Sequence, residues 1–448
     1  MSSPFTAPKP ARFPMFRISR SVIVVSVLTT LAINDALGAE SSLTMAEARR
    51  LAIAHSRQLA AQDFAVSASR DMAVAAKQLP DPVLKAGIDN LPVNRAERFS
   101  LTDDFMTMRR IGVSQEFTRA DKRHLRSSRF DREAEKSLAQ KDVTAAAIER
   151  DTTIAWLDRY YAEAMAQVIA EQGEQARIEI QAAEGTYRAG RGSQADVIVA
   201  RSALVAFEDR ASEFQRRIRN ARTMLARWIG PAADMPLAGQ PVTDTIRIDP
   251  ATLDTELAHH PEIAVLTKQQ EIALADAQLA RANLRSDWSV EVAYQQRGYA
   301  YSNMVSVGVS IPLQWDRDKR QNREVASKLA VVEQATAERE EVLRAHIAET
   351  KTMIGEWENG RERSARYRRE LIPLAQQRTA ATIASYRGGK ASLPDVLTAR
   401  RNEIDVRLQA LQLESDTARL WAQLNFLFPE TGAAARPMTM TYKANNEK

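Results

Sequence analysis

The chain has 448 residues, enough for about two or three ordinary domains, and its 44% hydrophobic and 27% charged content is that of a folded protein. It contains no cysteine, which excludes a disulfide framework, thiolate metal ligation and thiol chemistry. The formal net charge is +5, but acidic and basic residues are interspersed as on solvated helix faces, which argues against nucleic acid as a partner.

The N-terminus reads as an export signal. Arg17 and Arg20 precede the apolar run SVIVVSVLTTLAI, and the small residues Gly38 and Ala39 follow where a signal peptidase would cut. The run falls short of the roughly 20 apolar residues that span a bilayer core, and no cysteine follows to carry a lipid anchor. Removing residues 1–39 discards Lys9, Arg12, Arg17, Arg20 and Asp35, so the formal net charge drops from +5 to +2.

Residues 40–229 form a first unit. Within 83–117, Leu84, Ala86 and Ile88 alternate with Lys85, Gly87 and Asp89, and Ile111 and Val113 alternate with Arg110, Gly112 and Ser114. Period two predicts a strand hairpin. From about Arg119 to Glu184 the chain is rich in Ala, Glu, Arg and Gln, lacks proline, and repeats apolar residues at helical spacing in Ile154, Leu157, Tyr161, Met165 and Val168. That predicts one helix of roughly 65 residues, about 100 Å at 1.5 Å per residue. A turn at 185–194 and a returning helix complete the unit.

Residues 230–250 (GPAADMPLAGQPVTDTIRIDP) are rich in Pro and Gly and read as a linker. A second unit, 251–428, repeats the plan. A strand hairpin over 288–313 places Trp288, Val290, Val292 and Tyr294 opposite Ser289, Glu291, Ala293 and Gln295, then Val305, Val307, Val309 and Ile311 opposite Ser306, Gly308 and Ser310. A long helix over about Lys319 to Ser385 carries Leu343, Ile347, Ile354 and Trp357 on one stripe, and Pro373 should kink it. A turn at 386–394, a returning helix and a tail at 429–448 finish the chain.

The two units are an internal duplication. YRAGRGSQADVIVAR at 187–201 matches YRGGKASLPDVLTAR at 386–400; Gly112-Val113-Ser114 matches Gly308-Val309-Ser310; DKRHLR at 121–126 matches DKRQNR at 318–323. In each turn Gly190 or Gly389 can take the left-handed conformation that stops a helix. Ser193 and Ser392, or Asp196 and Asp395 just beyond, suit the start of the next helix. Ordinary turn chemistry accounts for Gly and Ser but less well for the shared Tyr187 and Tyr386, or for Asp196 and Asp395.

Four strands with alternating apolar and small polar residues fit an outer-membrane barrel, where lipid-facing and lumen-facing positions alternate. Four cannot close a barrel, for which about eight is the small end, so several chains must contribute strands. Helices this long need neighbouring helices to cover their apolar stripes. The fold class expected is therefore mainly α with a β-barrel portion: very long antiparallel helical hairpins, plus four strands per protomer.

At these residues the chain resembles the TolC-like outer membrane efflux proteins over essentially its whole mature length. The carriers are the duplicated Tyr-x-x-Gly…Asp-Val turns, the two strand hairpins, and AHHPEI at 258–263, similar to the family's Asn-Pro-Glu start with His260 in place of Asn. QLPDPVLKAGIDNLPVN, FSLTDDFMTMRRIGVSQEF and DKR are similar to the branch serving heavy-metal efflux pumps. The resemblance implies a homotrimer with a twelve-stranded transmembrane barrel in the outer membrane lipid and a helical α-barrel forming a periplasmic tunnel. It also implies a periplasmic adaptor (membrane fusion) protein and an inner-membrane resistance-nodulation-division transporter as partners. The duct would be passive, with no cofactor and no catalytic residue; phosphate-loop, nucleophile-elbow and HExxH motifs are absent from the sequence.

The family closes its periplasmic end at the helical turns, with aspartates at the constriction and a tyrosine in the restraining network. The matching residues are Asp395 and Tyr386, with Asp196 and Tyr187 as counterparts; a second acidic position found in some members is Thr398 here. Asp395 either gates or binds cations, or is a first-turn residue favoured by the helix dipole. No metal site is expected, because His55, His124, His259, His260 and His346 form no ligand-spaced cluster, and adjacent His259 and His260 face different ways. A drug or polypeptide-secretion duct of the same architecture, and a periplasmic coiled-coil scaffold without a pore, also fit the pattern.

Overall fold

The computed structural model describes residues 42–430 apart from 191. The segment read as an export signal, 1–39, and the tail from 431 onward lie outside the described residues. In chain order the first unit contains α1 (Met45–His55), α2 (Arg57–Ala76), β1 (Val83–Asp89), β2 (Met108–Phe117), α3 (Ala120–Arg188) and α4 (Gln194–Ile229). The second contains α5 (Leu253–Leu257), α6 (Pro261–Ala282), β3 (Trp288–Gln296), β4 (Met304–Ser310), α7 (Gln321–Arg366), α8 (Ile372–Arg387) and α9 (Leu393–Asn425). Among the described residues no helix is long and apolar enough to cross a membrane.

Helix α3 runs 69 residues without a break, about 100 Å at 1.5 Å per residue. It packs along its length against α2, α4, α6 and α9. Its expected stripe is the core stripe: Leu157, Tyr161, Met165 and Val168 are buried, with Ile154 packed beside them. Alanines at the contacts (Ala155, Ala200, Ala203, Ala418 and Ala422) let neighbouring helices approach closely, which is how a bundle with little aromatic content fills its interior.

The second long helix, expected over Lys319–Ser385 with a kink at Pro373, changes helical type just before that proline. Helix α7 gives way to a wider π-helical turn at Tyr367–Leu371, and α8 starts immediately after it with Pro373 in its first turn. Pro373 has no N–H and its ring crowds the carbonyl four residues back. That carbonyl belongs to Arg369, inside the wide turn. A π-turn is the local rearrangement that lets a helix pass such a position without ending.

The segment read as a linker is packed. Ile246 and Ile248 are buried against Trp357, Ile354 and Leu424. Backbone carbonyls of this segment accept indole N–H groups, Thr243 from Trp357 at 3.2 Å and Thr245 from Trp421 at 2.7 Å. Leu237 bridges to Leu43 as a short parallel pair. The stretch opens on a short 3-10 helix at Gly230–Asp234 with Pro231 in its first turn, and Ile246 and Ile248 anchor its far end in the core.

The strands form one antiparallel sheet in the order β1-β2-β3-β4, with β2 and β3 pairing across the two units. Its register aligns side chains in rows: Leu84, Val113, Val292 and Val307 form one row, and Ala86, Ile111, Tyr294 and Val305 the next. Gly112 is required by close approach, since a Cβ there would lie 2.7 Å from the Ala293 Cβ on the neighbouring strand. Expected strand character at Ile311 and Leu313 is not realised; β4 ends at Ser310, ahead of Pro312, which cannot donate to a ladder.

Candidate functional site

The duplicated turns are built alike. Gly190 (φ 70°) and Gly389 (φ 69°) take the left-handed conformation, and their N–H groups donate to the carbonyls of Tyr187 at 2.9 Å and Tyr386 at 3.0 Å. In this way each helix satisfies a terminal carbonyl.

The next helix then begins on a reciprocal capping box. Ser193 accepts the Asp196 N–H at 3.1 Å while an Asp196 carboxylate oxygen accepts the Ser193 N–H at 3.1 Å. Ser392 and Asp395 repeat the arrangement, with the Ser392 N–H donating to the Asp395 carboxylate at 2.9 Å and the Ser392 hydroxyl at 2.6 Å. The Ser392 hydroxyl and then its backbone N–H hold the Asp395 carboxyl below the usual aspartate range. The shared aspartates therefore have a local structural cause, which corrects the reading that turn geometry does not require them: box chemistry needs an acceptor at the third helical position.

The two turns lie at one end of the same helical core. Ala183 and Val197 from the first and Leu393 and Leu397 from the second belong to one buried cluster. The tyrosines differ: Tyr386 packs on that cluster, whereas Tyr187 is 46% exposed. Glu184 ties the first turn together by pairing with Arg201 at 2.7 Å and Arg188 at 3.4 Å. Thr398 is exposed, its hydroxyl returned to the Pro394 carbonyl at 2.8 Å.

The sheet has two chemically opposite faces. On one, Leu84, Ile111, Val113, Val292, Tyr294, Val305, Val307 and Val309 are all exposed, with Val307 at 70%. The other carries an ion-paired set that sequence reasoning did not single out. Glu291 pairs with Arg110 and with Lys85 at 2.6 Å, and Arg110 lies 3.7 Å from Asp89. Its sequence signal was present, since Lys85, Asp89, Arg110 and Glu291 all occupy the polar phase of alternating strands.

A third constellation corrects the expectation that the histidines form no cluster. His260, the N-cap of α6, accepts the Glu262 N–H on its Nδ1 at 3.3 Å. His346 from α7 reaches back to put its Nε2 2.9 Å from a Glu262 carboxylate oxygen. The His260 and His346 rings lie 4.7 Å apart. The donor atoms of His260, Glu262 and His346 fall within 4.8 Å of one another. His259 turns away, its Nδ1 against the Thr255 carbonyl at 3.0 Å, as expected of adjacent residues at a helix start.

No protein-family profile matches the chain. A stretch of 243 residues is 25% identical to the cobalt-zinc-cadmium resistance protein CzcC of Cupriavidus metallidurans, covering 53% of this chain and 57% of that protein. The chain thus spans little more than half the length of this relative. Among solved structures, CusC, described for its conformational changes on folding and transmembrane channel formation, is similar with a TM-score of 0.71 at 16% identity. That match covers 86% of this chain and 92% of CusC. The outer membrane protein VceC of Vibrio cholerae is similar with a TM-score of 0.68 at 17% identity, covering 86% of this chain and 95% of VceC. The chain has the fold of these outer membrane and transmembrane channel proteins.

Proposed function

We propose that the chain is one protomer of a passive exit duct in the outer membrane of a Gram-negative bacterium, exported there by its N-terminal signal, with a long periplasmic extension. The observation that carries this reading is the sheet. Its apolar face is exposed across all four strands, and its other face holds small polar residues and the Lys85, Arg110 and Glu291 ion pairs. A contiguous apolar face of this extent is abnormal in water and normal against lipid, where strands alternate apolar-out and polar-in. Three copies supply twelve strands and close the barrel. The helices of three copies then form the periplasmic tunnel, with six turns ringing its far mouth.

In this reading the turns carrying Tyr187, Asp196, Tyr386 and Asp395 are the periplasmic constriction, where a ring of like carboxylates on a narrow axis attracts cations and repels anions. The partners are a periplasmic adaptor and an inner-membrane resistance-nodulation-division transporter. The cargo is heavy-metal cations, a reading supported by the 25% identity to CzcC. The duct supplies no chemistry of its own.

Two measurements test this. Protein extracted from the outer membrane and inserted into planar lipid bilayers should be a trimer giving discrete conductance steps; a monomer without conductance would overturn the duct. A deletion strain should become sensitive to zinc, cobalt or cadmium, and sensitivity to drugs alone would overturn the metal cargo while leaving the duct.

A further inference from the structure

We infer that His260, Glu262 and His346 form a binding site for one divalent transition-metal cation of the zinc and cobalt class, joining the start of α6 to the middle of α7. Two imidazoles and one carboxylate are a donor set such ions take with three protein ligands and a water in the fourth position. Calcium and magnesium prefer all-oxygen sites. The donors come from two helices 84 residues apart in sequence for the His346 and Glu262 pair, so the set is a product of packing.

The geometry is near what coordination needs. Metal bonds of about 2.0–2.2 Å place tetrahedral donors roughly 3.3–3.6 Å apart. The three donors lie within 4.8 Å, and the His346 and Glu262 pair at 2.9 Å is already closer than that spacing. The adjustment falls on the two side chains able to make it: Glu262 is half exposed and His346 about one-fifth exposed at the side chain.

His260 is the fixed member, 7% exposed, held ahead of Pro261 and edge-on to the Phe428 ring at 5.5 Å. Its Nδ1 accepts the Glu262 N–H at a long 3.3 Å, a bond for which a cation would compete. A cation at a helix N-terminus is opposed by the helix dipole. The Glu262 carboxylate offsets this by supplying the negative charge in the first turn.

The site sits at the end of α6 remote from the sheet, about 33 Å of helix before the second hairpin. Helix α6 leads into β3 and α7 follows β4, so a bound ion would clamp together the helix that enters the second hairpin and the helix that leaves it. This inference does not rest on the duct carrying metal, and the site lies in neither the turns nor the sheet.

The test uses the full-length protein purified in detergent and stripped with a chelator, titrated with zinc chloride by calorimetry and with cobalt chloride by visible absorption. One zinc per chain is expected, with a cobalt ligand-field spectrum of tetrahedral intensity. His346→Gln and Glu262→Gln should each weaken zinc binding at least tenfold. His260→Asn, which keeps an N-cap acceptor for the Glu262 N–H, should do the same. His259→Asn should bind zinc as the parent does. Equal zinc affinity in the parent and in His260→Asn/His346→Gln would overturn the site, as would equal loss in His259→Asn. Bilayer conductance of the same samples reports on the duct separately.

Discussion

The two long helical arms share a plan and differ in continuity. The first, α3, is 69 unbroken residues and is covered by neighbours along much of its length. The second is 46 residues, a five-residue π-turn with no buried residue, and 16 more. Both arms are anchored the same way near their middle. Trp156 is 1% exposed and donates its indole N–H to the Leu43 carbonyl at 3.1 Å. Trp357 is fully buried and donates to the Thr243 carbonyl at 3.2 Å. Both arms end in the same left-handed glycine and the same Ser–Asp box. The duplication thus keeps the fixed points, which are the indole anchor, the turn and the strand glycine, while the helix between anchor and turn has room to differ.

The largest effect is expected at the anchors. Trp156→Ala and Trp357→Ala should each cost about 3–5 kcal/mol, the range for emptying a buried large aromatic site, and the two losses should be similar in thermal or denaturant unfolding of the purified protein. A loss at only one would show that the arms are not anchored equivalently.

Next are the turn glycines. Gly190→Val and Gly389→Val force a β-branched residue to positive φ, at about 1–3 kcal/mol each. Because nothing crowds either position, the cost is backbone strain alone and should match between turns in the same unfolding measurement. Unequal costs would mean that the turns are not the equivalent structures their hydrogen bonds indicate.

Pro373→Ala tests the discontinuity itself. Restoring the missing N–H should return one backbone hydrogen bond, worth about 1 kcal/mol, and slow hydrogen exchange across 367–371 towards the rate of the matching part of α3. Unchanged exchange there would assign the π-turn to packing rather than to proline.

The smallest effect is electrostatic. The Asp395 carboxyl sits below its ordinary value because Ser392 donates to it. A lowered folded-state value contributes stability that is present above the unfolded aspartate range and lost as pH falls through the folded one. Acid should therefore loosen the second turn, seen as faster proteolysis at 388–392, and Asp395→Asn should flatten that pH dependence. A profile unaltered by the substitution would remove the box from the account.

Much of this was legible in the sequence because it is local. Alternation named the strands, the absence of proline named α3, and repeated glycine and serine named both turns. The role of Asp196 and Asp395 is half visible: the sequence offers Ser or Asp as the cap, and the fold uses both reciprocally. What was not legible depends on distant contacts. Trp156 and Trp357 do not lie in a repeated motif, and their equivalence is seen only in the carbonyls they reach. His346 meets Glu262 through helix packing that no spacing rule reports, and the connection at 230–250 has the composition of a linker although Ile246 and Ile248 lie in the core.

The central claim is that the apolar face of the sheet meets lipid and the polar face meets water, and the lack of native cysteine makes it directly measurable. Single variants Val307→Cys and Ser306→Cys, neighbours on β4 that point to opposite faces, can be treated in intact cells with a membrane-impermeant thiol reagent. The account predicts that Ser306→Cys is labelled and Val307→Cys is protected, although Val307 is 70% exposed in the single chain. Labelling of Val307→Cys at the rate of Ser306→Cys would contradict it.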